Sequence, residues 1–267
     1  MTSSLIIATY NRPDALALVL ESVLLQTQMP GEVLIADDGS EAATKSVVKA
    51  YAEKISIPLH HIWHEDKGFR LSAIRNKAIA AAKGDYIIQV DGDVIMHPHF
   101  IEDHIAFARE NSFVRASRIY LDEALTAKKL QEKNAHINVW KSGVSNKTSA
   151  LHVPLLWPFF ETGYKNKGLE RFEIHGCNMA FWRSDAIRTN GYNEDFEGWG
   201  YEDKEFVARL LAVGCVKRFL KLGGIVFHLH HPESPRDRES INALILNQSI
   251  EQPSTRCANG IDKYLTT

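Results

Sequence analysis

The chain has 267 residues, 45% of them apolar, enough to bury the core of one large domain. Its 31 Lys and Arg against 33 Asp and Glu leave a net charge of -2, which excludes a broad basic surface for nucleic acid. No apolar run approaches the roughly 20 residues of a membrane span. Met1 to Ala8 lacks the basic region and cleavage site of a signal peptide. Cys177, Cys215 and Cys257 are too few and too far apart for a zinc pattern or a disulfide framework, so a reducing cytosol fits best.

Short apolar runs alternate with helical periods through the first half. Ser4 to Thr9 reads as a strand, and Pro13, preset for a first helical turn, opens a helix from Asp14 to Gln26. Glu32 to Ala36 is a second strand, ending at Asp37-Asp38-Gly39-Ser40, and Glu41 to Lys54 is helical. Leu59 to Trp63 is a third strand, Leu71 to Lys83 an Ala-rich helix, and Tyr86 to Val90 a fourth strand that ends at Asp91-Gly92-Asp93. Pro98 to Glu110 is helical and Phe113 to Ala116 a short strand. This alternation predicts an α/β fold with a doubly wound, mostly parallel sheet and helices on both faces.

From about Lys128 to Glu170 the chain turns polar and reads as a helix followed by a long loop, a common place for function. Regular structure resumes at Glu173 to Trp182. A helix follows from about Tyr201 to Val213, then strands at Cys215 to Leu220 and Gly224 to Leu229. After Pro232 there is one amphipathic stretch, Arg238 to Asn247.

Asp91-Gly92-Asp93 is the most informative motif. Strand ends of such sheets bind ligands, and acids there are costly unless paired or holding a metal. A hard divalent cation that also grips a diphosphate would explain both carboxylates. The plain alternative is a turn, since Asp and Gly favour turns. Thr9-Tyr10-Asn11-Arg12 and Asp37-Asp38-Gly39-Ser40 end strands on the same sheet edge. A carboxylate there can bind a base or ribose, and an Arg a phosphate; turn and cap roles are the alternative for the acidic pair. Arg70 and Arg75 could face phosphates or pair with Asp91; solvated surface arginines are the plain reading.

Glu197-Gly198-Trp199-Gly200-Tyr201-Glu202-Asp203 is the second signal. The glycines free the backbone and expose the Trp ring, whose flat face suits a sugar. An acid after it can take a proton from a hydroxyl nucleophile, although acids also simply complement a helix dipole. Phe227-His228-Leu229-His230-His231-Pro232 ends the last strand. Alternation puts His228 and His230 on one face; a turn at His230 would instead converge His228 and His231 as metal ligands. Solvent-facing histidines are the alternative.

Together these residues resemble the inverting family-2 glycosyltransferases of GT-A fold, from Ile6 to about Pro232. Thr9 to Arg12, Asp37 to Ser40, Arg75-Asn76 and Asp91-Gly92-Asp93 look like that family's nucleotide-sugar half (1–120). Gly176 to Phe181 through Asp203 looks like the acceptor half (171–235) of β-1,4-galactosyltransferases and bacterial chondroitin-type polymerases, leaving 236–267 as a tail. The resemblance implies that Asp37 or Asp38 holds uridine, Asp91 the ribose or metal, and Asp93 Mn2+ or Mg2+. It makes Asp203 the catalytic base, with Glu202 on the acceptor sugar and Trp199 stacked near the reaction centre. His228 and His231 match a pair of metal-side ligands, the first of which is Met in the galactosyltransferases; this departure leaves the metal open and keeps His230 a rival.

The expected activity is metal-dependent transfer of a hexose (galactose, glucose or an N-acetyl form) from a UDP-sugar to a glycan or glycolipid acceptor in bacterial surface polysaccharide synthesis. Asp203 would act as base, and the metal with Arg70 or Arg75 would stabilise the leaving UDP. Two alternatives are a sugar nucleotidyltransferase, for which the chain lacks a Gly-rich, Lys-containing phosphate loop, and an inactive glycan- or nucleotide-sugar-binding protein. A cytoplasmic location is expected, with peripheral contact at the inner membrane face through Arg236-Asp237-Arg238.

Overall fold

Strand β1 (Ser3–Thr9) is buried along its whole length, because in this computed structural model it lies inside a seven-stranded sheet covered on both faces. The structure describes residues 1–161, 163–232 and 235–265. The sheet also contains β2 (Glu32–Asp37), β3 (Leu59–Trp63) and β4 (Tyr86–Asp91), with β6 (Ser112–Ala116), β8 (Asn178–Trp182) and β9 (Val216–Leu220), in the order β3-β2-β1-β4-β8-β6-β9. The first four pair in parallel. β8 runs antiparallel between β4 and β6, so the sheet is mixed, and β6 and β9 are again parallel.

Period-two alternation sorts side chains to two cores. Leu5, Ile7, Val33, Ile35, Ile88 and Val90 face helices α1 (Pro13–Leu24), α2 (Ala42–Ala52) and α4 (Phe100–Phe107). Ile6, Ala8, Leu34 and Ile87 face α3 (Leu71–Ala81), α7 (Arg183–Arg188) and α8 (Glu202–Ala212). Strands buried on both sides read as continuous apolar runs, which is why β1, β2 and β4 stand out in the sequence.

A second sheet of β5 (Val94–Met96), β10 (Val226–His228) and β7 (Arg118–Tyr120) packs a third core with α5 (Glu123–Glu132) and the outer face of α1. β5 and β7 have three residues each, too few for a periodic pattern. After α5 the chain follows an extended path with short helical turns, including α6 (Trp157–Phe160).

Residues 236–265 pack against the domain. The helix α9 (Glu239–Glu251) packs on α8, with Asn242 fully buried and bonded to the carbonyls of Glu197 and Trp199. A final turn, Ile261–Tyr264, packs on α3. The two arginines expected at a membrane surface contact the Gly-Trp-Gly segment. Arg236 lies 4.5 Å over the Trp199 ring, and Arg238 is 3.7 Å from Glu197. Among the described residues no helix is long and apolar enough to cross a membrane.

Candidate active site

The carboxyl ends of β1, β2 and β4 meet at one edge. Gly92 N donates to the Ala8 carbonyl at 2.6 Å, and a Cβ on Gly92 would stand 2.9 Å from Thr9 Cβ. Only glycine lets the end of β4 lie this close to β1 and turn Asp91 and Asp93 outward. The two loops beside it are stitched together. Asn11 N donates to Ser40 Oγ, and Asn11 Oδ1 accepts from Glu41 N.

Asp37 and Asp38 are both buried, and each carboxylate oxygen has a partner. Asp37 accepts from Ser40 N and faces His61 Nε2 at 2.8 Å. Burial opposes its charge, but these bonds hold its carboxyl below the ordinary value. Asp38 faces His64 Nε2 at 2.6 Å and accepts from Arg70 N at 2.8 Å. The Arg70 guanidinium turns back to the Glu65 carbonyl. Asp37 thus closes the turn to Ser40, and Asp38 ties that turn to His64 and to the start of α3.

Arg75, 1% exposed, is the centre of the site. Its Nη2 donates to Asp91 at 3.0 Å, and its Nη1 meets Asp203 at 2.9 Å and Glu202 at 3.3 Å. Tyr192 stacks on its other side, 5.3 Å from the guanidinium. One buried cation on α3 thus ties the end of β4 to the start of α8. Of the two readings of Arg75, a phosphate partner or a pair with Asp91, the structure has the pair, with both terminal nitrogens on carboxylates. Such a charge is tolerable in the interior only because it is paired.

The Gly-Trp-Gly motif builds the turn that delivers those carboxylates. Gly198, Gly200 and Tyr201 all have positive φ (73°, 107° and 74°). For Tyr201 this costs of order 1–3 kcal/mol and persists only where surroundings hold it. Here Gly198 N is tied to the Phe69 carbonyl. Trp199 is left 36% exposed at the rim. Asp203 in turn seats against Gly176, where any Cβ would overlap its carboxylate.

Two effects compete at Glu202 and Asp203. A helix N-terminus favours negative charge by about 0.3–1 kcal/mol. Burial can shift a carboxyl by several pH units, and it wins. Burial, then the charge of Asp203, pushes Glu202 up to about 7. Burial also raises Asp203, with Arg75 pulling it back.

Asp93 faces the other way, with Arg12 Nη1 at 3.0 Å from its Oδ2. The Nε2 atoms of His231 and His228 stand 3.3 and 3.7 Å from its two oxygens. Ligand atoms of these three residues all lie within 4.8 Å of one another. Asp93 Oδ1 is buried without a hydrogen-bond partner. His228 Nδ1 lies 2.9 Å from the Leu229 carbonyl and His231 Nδ1 2.7 Å from that of Pro232. Protons on those Nδ1 atoms leave both Nε2 lone pairs aimed at Asp93, the arrangement a metal-binding imidazole requires. Burial keeps His228 neutral by lowering its pKa. An orphaned carboxylate oxygen and two imidazole lone pairs fit a divalent cation. His230 lies apart: it is exposed and its backbone N binds Thr126.

Gln89 and Tyr192 went unnoticed in the sequence. Gln89, fully buried, donates to the Gly176 carbonyl and accepts from Tyr192 OH, bracing the bed of Asp203 and Arg75. A lone amide in the apolar run Tyr86 to Val90 was its only signal.

Residues 4–188 match glycosyl transferase family 2, and residues 162–232 match the N-terminal domain of galactosyltransferase. A chondroitin synthase of Pasteurella multocida is 30% identical over 91% of the chain, and one of Escherichia coli 28% over 92%. The chain spans only 26% and 38% of those two proteins. TarS of S. aureus superposes with a TM-score of 0.65 at 17% identity, over 94% of this chain and 40% of that one. A mannosyltransferase of Pyrobaculum calidifontis, solved with GDP-Man and Mn2+, superposes at 0.59 and 15% identity, over 94% and 70%. These likenesses show the GT-A fold.

Proposed function

Because the chain belongs to glycosyl transferase family 2 and is a glycosyltransferase, we propose that it moves a hexose from a UDP-sugar to a hydroxyl of a glycan acceptor, inverting the anomeric carbon. One observation carries this reading: Arg75 joins Asp91 to Asp203 across the site, while Asp93, His228 and His231 converge beside it. A domain of TarS has been solved with UDP-GlcNAc, and the synthase relatives build polysaccharides by name, which supports this donor and acceptor class.

The nucleotide lies along the loops after β1 and β2, between Thr9, Asn11 and Asp38, with Arg12 turned to the phosphates. Arg12 is the better phosphate partner than Arg75, because it is partly exposed and bonded to one carboxylate only. Asp93, His228 and His231 would hold Mn2+ or Mg2+, which supplies positive charge at the leaving diphosphate. Asp203 takes the proton of the acceptor hydroxyl as its oxygen bonds to the anomeric carbon and the bond to UDP breaks. Arg75 holds the Asp203 carboxylate in place and favours its ionised form. Glu202 lies beside it toward the acceptor sugar, and Gly200 lets the Trp199 ring cover that sugar. Bacterial surface polysaccharide synthesis is the setting this chemistry fits.

Release of UDP from a panel of UDP-sugars, with Mn2+, Mg2+ or EDTA, tests the reading. Metal-dependent hydrolysis of one donor is expected; no turnover and no binding of any UDP-sugar would refute it.

A further inference from the structure

Arg118 is a half-buried cation without an anion. Its one hydrogen bond among the described residues runs from Nη1 to Cys177 Sγ at 3.5 Å. Burial pushes that thiol up to about 12, so the partner is neutral. Arg118 Nε is buried and unpartnered. Among the described residues several arginines have an orphaned Nε, but three besides Arg118 hold carboxylates or carbonyls through their guanidinium groups. Arg75 has three carboxylates, Arg209 has Glu205 and two carbonyls, and Arg183 has two carbonyls. No carboxylate pairs with Arg118: Asp91 acts on it only from beyond hydrogen-bond range, and Arg115 behind it leans on His175 at 3.0 Å and on the Glu173 carbonyl. Holding a guanidinium out of water without a partner is costly. The fork of Arg118 is built for a planar or tetrahedral oxyanion.

Its position says whose oxyanion. Arg118 and Tyr120 share one face of β7, opposite the buried Ile119. The Arg118 guanidinium lies 4.8 Å over the Tyr120 ring, and that ring is 5.6 Å from His228. On its other flank Cys177 follows Gly176, against which Asp203 seats. Arg118 is therefore linked through Tyr120 to the metal-side histidine and through Cys177 to the segment that seats the base. It opens β7 of the second sheet two residues after β6 ends, and β6 lies beyond β8 from β4, whereas the nucleotide edge at β1 and β2 lies on the other side of β4. The substrate that reaches both Asp203 and this side of the sheet is the acceptor.

We propose that Arg118 binds an anionic group, a carboxylate or a phosphate, carried by the acceptor glycan next to the attacking hydroxyl. The inference rests on the transferase reading above and adds the acceptor's charge to it. The rival account is that Arg118 only balances Asp91 and Asp93 at long range. That account predicts no preference among acceptors.

The test is calorimetric binding of matched oligosaccharides in the presence of UDP and Mn2+. One series ends in a hexuronic acid, one in the carboxyl-reduced hexose, and one in a hexose phosphate. Wild-type protein should bind one acidic series about 10–100-fold more tightly than the reduced series, the size of a charge-assisted hydrogen bond. Which acidic series it prefers separates carboxylate from phosphate. In Arg118→Gln that ratio should fall to about one, and Arg118→Lys, which keeps the charge but loses the fork, should fall between. A wild-type ratio near one for both acids overturns the proposal, and decides it even if the variants misfold. So does a ratio that survives in Arg118→Gln. An Arg118→Gln variant that loses UDP affinity as fully as acceptor affinity would move Arg118 to the donor diphosphate. The UDP titration run alongside separates the two readings: UDP binding with no acid preference defeats only this inference, and absence of UDP binding defeats both.

Discussion

Arg75 Nη1 and Asp203 Oδ1 stand 2.9 Å apart, one on α3 and the other on α8, 128 residues away in sequence. With Asp91 on the same guanidinium, this contact joins the half of the site that ends the parallel strands to the half that follows the Gly-Trp-Gly turn. Arg75→Met would leave up to three carboxylates close together without a cation. Removing one partner of a buried pair typically costs about 3–5 kcal/mol. The urea midpoint should fall accordingly at unchanged slope, and a midpoint within error of wild type would show that the clamp is not structural.

Asp203→Asn keeps the shape of the side chain but cannot accept a proton. Turnover with acceptor should drop about 10²–10⁴-fold, the usual contribution of a general base, with UDP affinity intact. A variant that retains most of its turnover would take the base role away from Asp203.

Gly176→Ala tests the bed on which Asp203 rests. The added methyl overlaps the carboxylate, so Asp203 must move while its chemistry is unchanged. A displacement of about 1 Å can cost on the order of 10²-fold in rate. The expected signature is a fall in kcat with little change in UDP affinity, and an unaltered kcat would mean that the seat is not needed.

Metal removal should act through Asp93, His228 and His231. A ligand at about 100 times its Kd stabilises a protein by about 2.7 kcal/mol, so excess Mn2+ should raise Tm and EDTA should reverse the rise. Asp93→Ala should abolish the shift and weaken UDP binding. An equal Mn2+ shift in that variant would place the metal elsewhere.

The pH dependence of stability follows from Glu202. Its carboxyl has an ordinary value of 4.5 and is pushed up to about 7 in the folded protein. Between these values the folded state holds a proton that the unfolded state has released. The contribution is therefore fully present below 4.5 and is lost as pH rises through about 7. Urea unfolding of metal-free protein should show stability falling from pH 5 to about 8, and Glu202→Gln should flatten that slope. A slope that persists in the variant would assign it to other groups.

Much of this architecture was legible in the residues alone. Strands β1, β2 and β4 are apolar runs buried on both faces, and Pro13 marks the start of α1. Asp37 and Asp91 end their strands, where side chains and backbone from neighbouring strands, loops and helices can pair a carboxylate. What stayed hidden depends on contacts distant in sequence. The three-residue strands β5 and β7 exist only because β10 pairs with both. His231 rather than His230 joins Asp93 because β10 stops at His228 and the chain turns, a choice that alternation along the strand could not make. A pair between Arg75 and Asp91 is open to the sequence, but Glu202 and Asp203 join it from α8, 127 and 128 residues further on. Periodicity and turn chemistry are local, so the residues alone specify the long apolar strands, most helices and the acids at the sheet edge. Charge pairing, metal convergence and the orphaned fork of Arg118 are long-range, and only the tertiary packing decided them.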